Sequence, residues 1–269
     1  MSVVGHLEEL RKRIFYVLIA LLLGTIISFV FIKQIILFLK APIADLNIKL
    51  YYFKPYEKLT TYFKIALFAG LIISVPFSLY QVTRFILPAL YNKERRFYFG
   101  ILPLIFVLFL GGAFFCYKII APISFKFFTT FMQGDDVIPL WGIKDYFSLL
   151  MLLVFFTGVI FQLPLVMMLL ARIGIVTGKA LAKYRKHAIV IIFILSAVIT
   201  PPDVVSQILL AIPTVLLYEI SIFLAKTMSK KREKEMQEIL REEQAPNDVY
   251  NDDNTKDTYD YNPYDSKKL

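Results

Sequence analysis

Long apolar runs without a single charge constrain this chain more than any other feature. Four such runs extend from Ile14 to Ile32, Ile65 to Thr83, Phe97 to Tyr117 and Tyr146 to Ala171. A bilayer imposes that pattern, because roughly 20 apolar residues are needed to cross its hydrocarbon core. A fifth region, Ala188 to Ala225, has only Asp203 and Glu219 as charges and is broken by Thr200-Pro201-Pro202-Asp203. Two successive prolines end a helix, and Asp203 suits the cap of the next one. The expected fold is therefore all-α: a polytopic membrane protein of six transmembrane helices, the last two short. The half before Asp203 has only about 15 uncharged residues, fewer than a ~30 Å core requires. Short spans of this kind imply local bilayer thinning or shelter by neighbouring protein.

Within the runs, Pro76 is tolerable in a membrane helix, and Pro164 predicts a tilt or kink in the fourth span. Gly111 and Gly112 predict close helix approach in the third. Outside them, Ile35–Pro42 and Pro55–Tyr62 read as short interfacial helices, and Trp141 as an interface anchor beyond Gly134-Asp135-Asp136. Pro42, Pro88, Pro201 and Pro202 read as structural breaks. The domain division is a membrane domain over 1–226, a charged helical extension over 227–243 and an unstructured tail over 244–269.

A net charge of +9 raises nucleic acid as a partner. The basic residues lie at the ends of the apolar runs, where topology and anionic lipid explain them. A basic groove with interleaved aromatics is missing, so nucleic acid is excluded. Basic clusters precede the first span (Arg11, Lys12, Arg13), separate the second from the third and the fourth from the fifth, and follow the sixth. Every arginine falls in these clusters, which predicts that they and both termini are cytoplasmic. The segment from Lys33 to Lys64 is also lysine-rich but holds no arginine. The first run is too long for a cleavable signal core and reads as an uncleaved signal-anchor.

Enzyme chemistry finds no support. His6 and His187 are far apart, no metal-spaced cluster occurs, and neither a catalytic Ser/His/acid set nor a phosphate-binding glycine loop is present. Cys116 stands alone in an apolar run and behaves as a small hydrophobe. No cofactor and no metal are expected.

Several polar residues carry more information. Val3, Leu7, Leu10 and Ile14 recur at helical spacing, so a short amphipathic helix is expected on the inner surface. Glu9 and Arg13 stand four apart on it, a pair that supports a helix. Glu94 lies between basic neighbours in Pro88-Ala89-Leu90-Tyr91-Asn92-Lys93-Glu94-Arg95-Arg96. It either pairs with those neighbours or accepts a guanidinium from a partner. Thr157 and Gln162 sit deep in the fourth span, where neutral polar groups usually join helices. Asp203 and Glu219 are costlier intramembrane acids. Asp203 either caps the sixth helix or serves a site, and Glu219 snorkels or pairs with Lys226.

Four separated motifs, in order, resemble the TatC family. They are His6-Leu7-Glu8-Glu9-Leu10-Arg11-Lys12-Arg13, the Pro88–Arg96 string, Ile199-Thr200-Pro201-Pro202-Asp203, and Ser206-Gln207 with Ala211-Ile212-Pro213. Pro55-Tyr56-Glu57 and Tyr80-Gln81 also fit. The resemblance implies a core subunit of the twin-arginine translocation system in the bacterial plasma membrane. Such a subunit recognises signal peptides with consecutive arginines and supports export of folded proteins driven by the proton-motive force. The partners implied are TatA-type single-span subunits, with or without a TatB-type subunit, the signal peptides, the lipid bilayer, and further copies of the chain. Glu94 is then the leading guanidinium acceptor and Glu9 the second, with Arg11 and Arg13 orienting the acids. Phe85, Leu90 and Tyr91 would position the loop. Gln162, Thr157, Asp203, Gln207 and Glu219 are the intramembrane or partner-facing polar set. Many family members carry glutamate in the fourth span where this chain has Gln162, which takes up no proton; a polar contact to a partner helix is the expectation there. Two other classes compete: a secondary transporter of a small solute or ion, and a scaffold for other membrane proteins.

Overall fold

The structure is a computed structural model that describes residues 3–46, 48–86, 95–131 and 140–244. By internal contacts the chain divides into two units, Met1–Ser229 and Lys230–Leu269. The packing below belongs to the first. Almost everything described is helix, in the order α1 (Val3–Val30), α2 (Ile32–Lys40), α3 (Glu57–Ile86), α4 (Arg95–Phe115), α5 (Ala121–Phe131), α6 (Ile143–Ile160), α7 (Leu163–Ile173), α8 (Gly178–Lys183), α9 (Arg185–Ile199) and α10 (Val204–Gln244). Two short strands, β1 (Leu50–Tyr51) and β2 (Trp141–Gly142), pair in parallel, with Leu50 opposite Trp141.

Among the described residues, five helical stretches are long and apolar enough to cross a membrane: Leu7–Val30, Glu57–Val82, Pro103–Phe131, Ile143–Ile173 and Val204–Glu238. The chain is thus a multi-pass membrane protein by length and composition. α9 has 15 residues, so it rises roughly 22 Å and stays out of that set.

α1 and α3 pack antiparallel, because Arg13 meets Gln81, Gly24 meets Gly70 and Phe29 stacks on Phe63. Lipid tails are as apolar as the side chains, so backbone proximity and polar bonds must hold helices together here. Gly24 supplies that proximity: a Cβ on it would stand 2.9 Å from the carbonyl oxygen of Gly70, and one on Gly70 would collide with the backbone of Thr25. α4 runs antiparallel to α6, since Ile105 meets Gln162 just past the end of α6 while Phe109 fills the space over Gly158; Phe161 also lies on Gly112.

The main core gathers at the end of the bundle where α1 passes into α2. Ile36, Ile65, Ile120, Phe125, Phe147 and Leu150 are all buried in it. A single π turn over Cys116–Ile120 joins α4 to α5 and puts Cys116, Tyr117 and Ile120 into this core. The Tyr117 hydroxyl donates to the carbonyl of Phe38, and that of Tyr146 donates to the carbonyl of Leu39 at 2.6 Å. Both carbonyls lie in the last turn of α2, where that of Phe38 also accepts from the Ala41 N–H.

Several local expectations need correction. The N-terminal segment forms no separate surface helix; it is the first turns of the unbroken α1, since no proline interrupts the chain from Val3 to Val30. Pro55–Tyr62 forms no interfacial helix of its own either. Glu57 opens α3, its buried carboxylate accepting from the N–H groups of Phe53 and Lys54 at 2.8 and 3.2 Å, and nothing stops the helix before Ile86. The third helical run extends to Phe131, well past Tyr117. The fourth breaks at Phe161–Gln162, just before Pro164, which occupies the first turn of α7 as proline prefers. Gly111 faces open space, so only Gly112 of that pair permits a close approach. The segment Ile35–Pro42 does become helical, as α2 followed by a 3-10 turn over Ala41–Leu46 that contains Pro42.

Candidate functional site

The α8 end of the first unit carries the signal-site candidates. Glu9 and Arg13 share one face of α1, and one Arg13 Nη donates to the Glu9 carboxylate. The other Nη donates to the backbone carbonyl of Gln81 at 3.2 Å, so the acid of α1 is tied to α3 through a guanidinium fork. Arg13 is largely enclosed and Glu9 partly open, with side-chain exposures of 12% and 29%. The acid is thus oriented by Arg13 yet still reachable from solvent.

Arg11 is exposed. With Glu8, Lys12, Ile14, Phe15 and Leu18 it lines a hollow of ≈ 650 Å³ along α1, its charged residues toward the N-terminus and its apolar ones beyond. Glu8 stands in this hollow although sequence reasoning passed it over; its adjacency to Glu9 in the motif was the available signal. Pro88, Leu90, Tyr91 and Glu94 lie outside the described residues, in the segment joining α3 to α4. Phe85 is in the last turn of α3.

The intramembrane polar set does not gather into one site. Thr157 is fully buried beside Cys116, and its hydroxyl donates to the carbonyl of Leu153. Gln162 is also buried, at the N-terminus of α7, where its Nε2 donates to the Ile105 carbonyl at 2.9 Å. Its amide therefore bonds α4 of the same chain, while Oε1 has no hydrogen-bond partner among the described residues. Asp203 caps α10, one carboxylate oxygen accepting from the Ser206 N–H at 2.6 Å. Pro201 and Pro202 separate it from the end of α9. Gln207 donates to the Phe193 carbonyl at 3.1 Å and ties α10 to α9.

Glu219 pairs with Arg185 at 2.9 Å, not with Lys226. Lys226 is occupied otherwise: its stem lies against Gly178, where a Cβ would clash. Nearness in the sequence, seven residues or about two helical turns, suggested the Lys226 pairing, but the antiparallel course of α9 beside α10 brings Arg185 closer. The Tyr218 hydroxyl adds a 3.0 Å bond to the Leu181 carbonyl of α8. Among the described residues no three of His, Cys, Asp and Glu come together as metal ligands.

A family model for TatC, the Sec-independent protein translocase protein, matches residues 5–213. The chain belongs to the TatC family. It is 41% identical over 244 residues to the TatC protein of Aquifex aeolicus, covering 88% of this chain and 99% of that one. The TatC protein of Carboxydothermus hydrogenoformans is 37% identical over 232 residues, 86% of this chain and 95% of the relative. Two crystal structures of the twin arginine translocase receptor TatC superpose with TM-scores of 0.74 and 0.76 at 40% and 41% identity. They cover 83% and 82% of this chain and 99% of theirs. TatC membership makes the chain a core component of a protein translocase, not an enzyme, and the small-solute transporter reading is not favoured. The TatC match contains Glu9, the α3–α4 segment, Gln162 and Gln207, and ends before Glu219.

Proposed function

We propose that this TatC-family chain reads twin-arginine signal peptides with Glu9 and Glu94 and presents the bound cargo to TatA-type single-span partners. The observation that carries this reading is the Glu9–Arg13–Gln81 link. It holds a partly open carboxylate in a fixed orientation, and its α3 end leads within a few residues into the segment that contains Glu94. A carboxylate so held accepts a planar guanidinium in a bidentate manner, whereas a lysine ammonium gains only a point-charge contact. The hollow beside Glu8 and Arg11 continues onto Ile14, Phe15 and Leu18, a surface suited to the apolar stretch of a signal peptide.

The orientation that fits puts both termini and all arginine clusters in the cytoplasm, where a signal peptide first arrives. α9 then serves as a sixth, short span: Val190, Ile194 and Val198 are exposed on one face, as lipid or a partner helix would require. A TatB-type subunit and further copies of the chain complete the assembly in the bacterial plasma membrane, with the proton-motive force driving export. Gln162 takes part as a fixed polar contact between α4 and α7 and not as a proton carrier. Phe85, Leu90 and Tyr91 shape the loop around Glu94.

Photo-crosslinking in membranes tests this, with probes at positions 9 and 94 and a folded reporter bearing either a twin-arginine or a twin-lysine signal. A hydrogen bond to a charged group is worth about 1.5–3 kcal/mol, so Glu94→Ala should weaken binding of the arginine signal about tenfold or more. Crosslinks that vanish with the lysine signal support the reading. Equal crosslinking of both signals sinks the assignment of Glu9 and Glu94.

A further inference from the structure

Six lysines punctuate the stretch from Lys33 to Lys64: Lys33, Lys40, Lys49, Lys54, Lys58 and Lys64. All six are exposed. The stretch has two acids, Asp45 and Glu57, and Glu57 is buried with its carboxylate bonded to the Phe53 and Lys54 N–H groups. Six lysines against two acids leave this stretch a net charge of +4. Topology does not account for it, because the arginine clusters that set orientation lie at the opposite helix ends.

The lysines are interleaved with tyrosines. Lys54 Nζ lies 6.0 Å from the ring centre of Tyr56, Lys58 Nζ 5.9 Å from that of Tyr62, and Lys118 Nζ 5.7 Å from that of Tyr117. Tyr52, Phe53 and Tyr56 are about 60% exposed, an unusual state for three neighbouring rings unless an amphipathic boundary surrounds them. Directly along α3, Leu59, Phe63 and Leu67 recur at intervals of four and are more than half exposed. Cations, then aromatic rings, then an apolar strip follow the order of a phospholipid: phosphate, glycerol, acyl chain.

We propose that the α2 end binds anionic phospholipid headgroups, with Lys49, Lys54 and Lys58 holding the phosphate and Tyr52 and Tyr56 seated at the glycerol level. The apolar strip on α3 favours a lipid over a free phosphate, since only the lipid has chains to cover Leu59, Phe63 and Leu67. This binding holds the α2 end at the membrane boundary while the opposite end handles signals. The inference rests on the membrane-spanning reading of the fold and not on signal recognition. A chain whose Glu94→Ala variant kept full signal binding would still be expected to bind the lipid.

The test places a photoreactive benzophenone side chain at position 52 of the full-length protein, in nanodiscs of equal phosphatidylcholine and phosphatidylglycerol. Each lysine near a charged membrane surface contributes enough that phosphatidylglycerol should be captured about fivefold over phosphatidylcholine. Added salt should lower the ratio as it screens the lysines. The combined Lys49→Gln, Lys54→Gln, Lys58→Gln variant, which alters only exposed side chains, should bring capture close to parity. The corresponding Lys→Arg variant should keep the preference, and Lys230→Gln with Lys231→Gln should leave it unchanged. Parity in the otherwise unaltered chain, or an unchanged preference in the triple glutamine variant, overturns the proposal. A probe at position 59 repeats the measurement from the helix should position 52 not tolerate the label.

Discussion

The two ends of the helical unit are built from different interactions. At the α2 end, Tyr117 and Tyr146 donate to backbone carbonyls, and Glu57 accepts from two backbone N–H groups. Tyr146 and Glu57 are buried, and main-chain partners cannot rotate away. At the α8 end one neutral tie of that kind, from the Tyr218 hydroxyl to the Leu181 carbonyl, stands beside charged ones: Arg13 with Glu9 and the Gln81 carbonyl, and Arg185 with Glu219, the last pair 46% and 42% exposed. Exposed ion pairs are worth about 0–1 kcal/mol and exchange partners readily. The first arrangement makes a frame; the second leaves charges that an incoming guanidinium can compete for.

The largest effect that would sharpen this contrast is expected from Glu57→Ala. It removes two hydrogen bonds to a charged acceptor, and should cost about 3 kcal/mol, read as a lower thermal midpoint in detergent. A loss no larger than that of an exposed pair would break the comparison. Gly70→Ala comes next, at about 2 kcal/mol, because overpacking forces α1 away from α3. Gly111→Ala serves as its control and should be neutral, since nothing stands within 4 Å of a Cβ there. Tyr146→Phe keeps the ring and removes one hydrogen bond, so about 1 kcal/mol of unfolding free energy should disappear. Arg185→Gln should cost the least, under about 1 kcal/mol, and the cost should shrink with added salt. A salt-insensitive loss at Arg185 would mean that this pair belongs with the buried frame.

Much of the fold was legible before any coordinates. The uncharged runs located the helices, and Pro201-Pro202 located the break between α9 and α10. Asp203 was readable as a cap because capping depends on a carboxylate three residues before a free N–H, a spacing within the sequence itself. Helix ends were read less well. Pro55–Tyr62 looked like a separate helix because Lys64 bounded the apolar run, yet a charge at a membrane surface does not interrupt backbone hydrogen bonding. The same reason hides the joining of the N-terminal segment to α1. At the proposed signal site, the motif around Glu9 was legible, whereas the grip of Arg13 on the Gln81 carbonyl was not: a backbone acceptor leaves no residue-type signature.

Sequence alone determined which stretches are apolar enough to cross a bilayer, where prolines divide them, which helix ends carry the arginines and, through its spaced motifs, the TatC family. These properties depend on local order along one chain and on transfer from water to lipid. Tertiary structure alone decided that Glu219 meets Arg185, that Gln162 bonds to Ile105, that Gly24 and Gly70 bring two helices together, and that Glu57 is buried against the Phe53 and Lys54 N–H groups. Each of these joins groups on different elements or depends on burial, and in an apolar solvent such contacts follow from how helices pack, which no periodicity records.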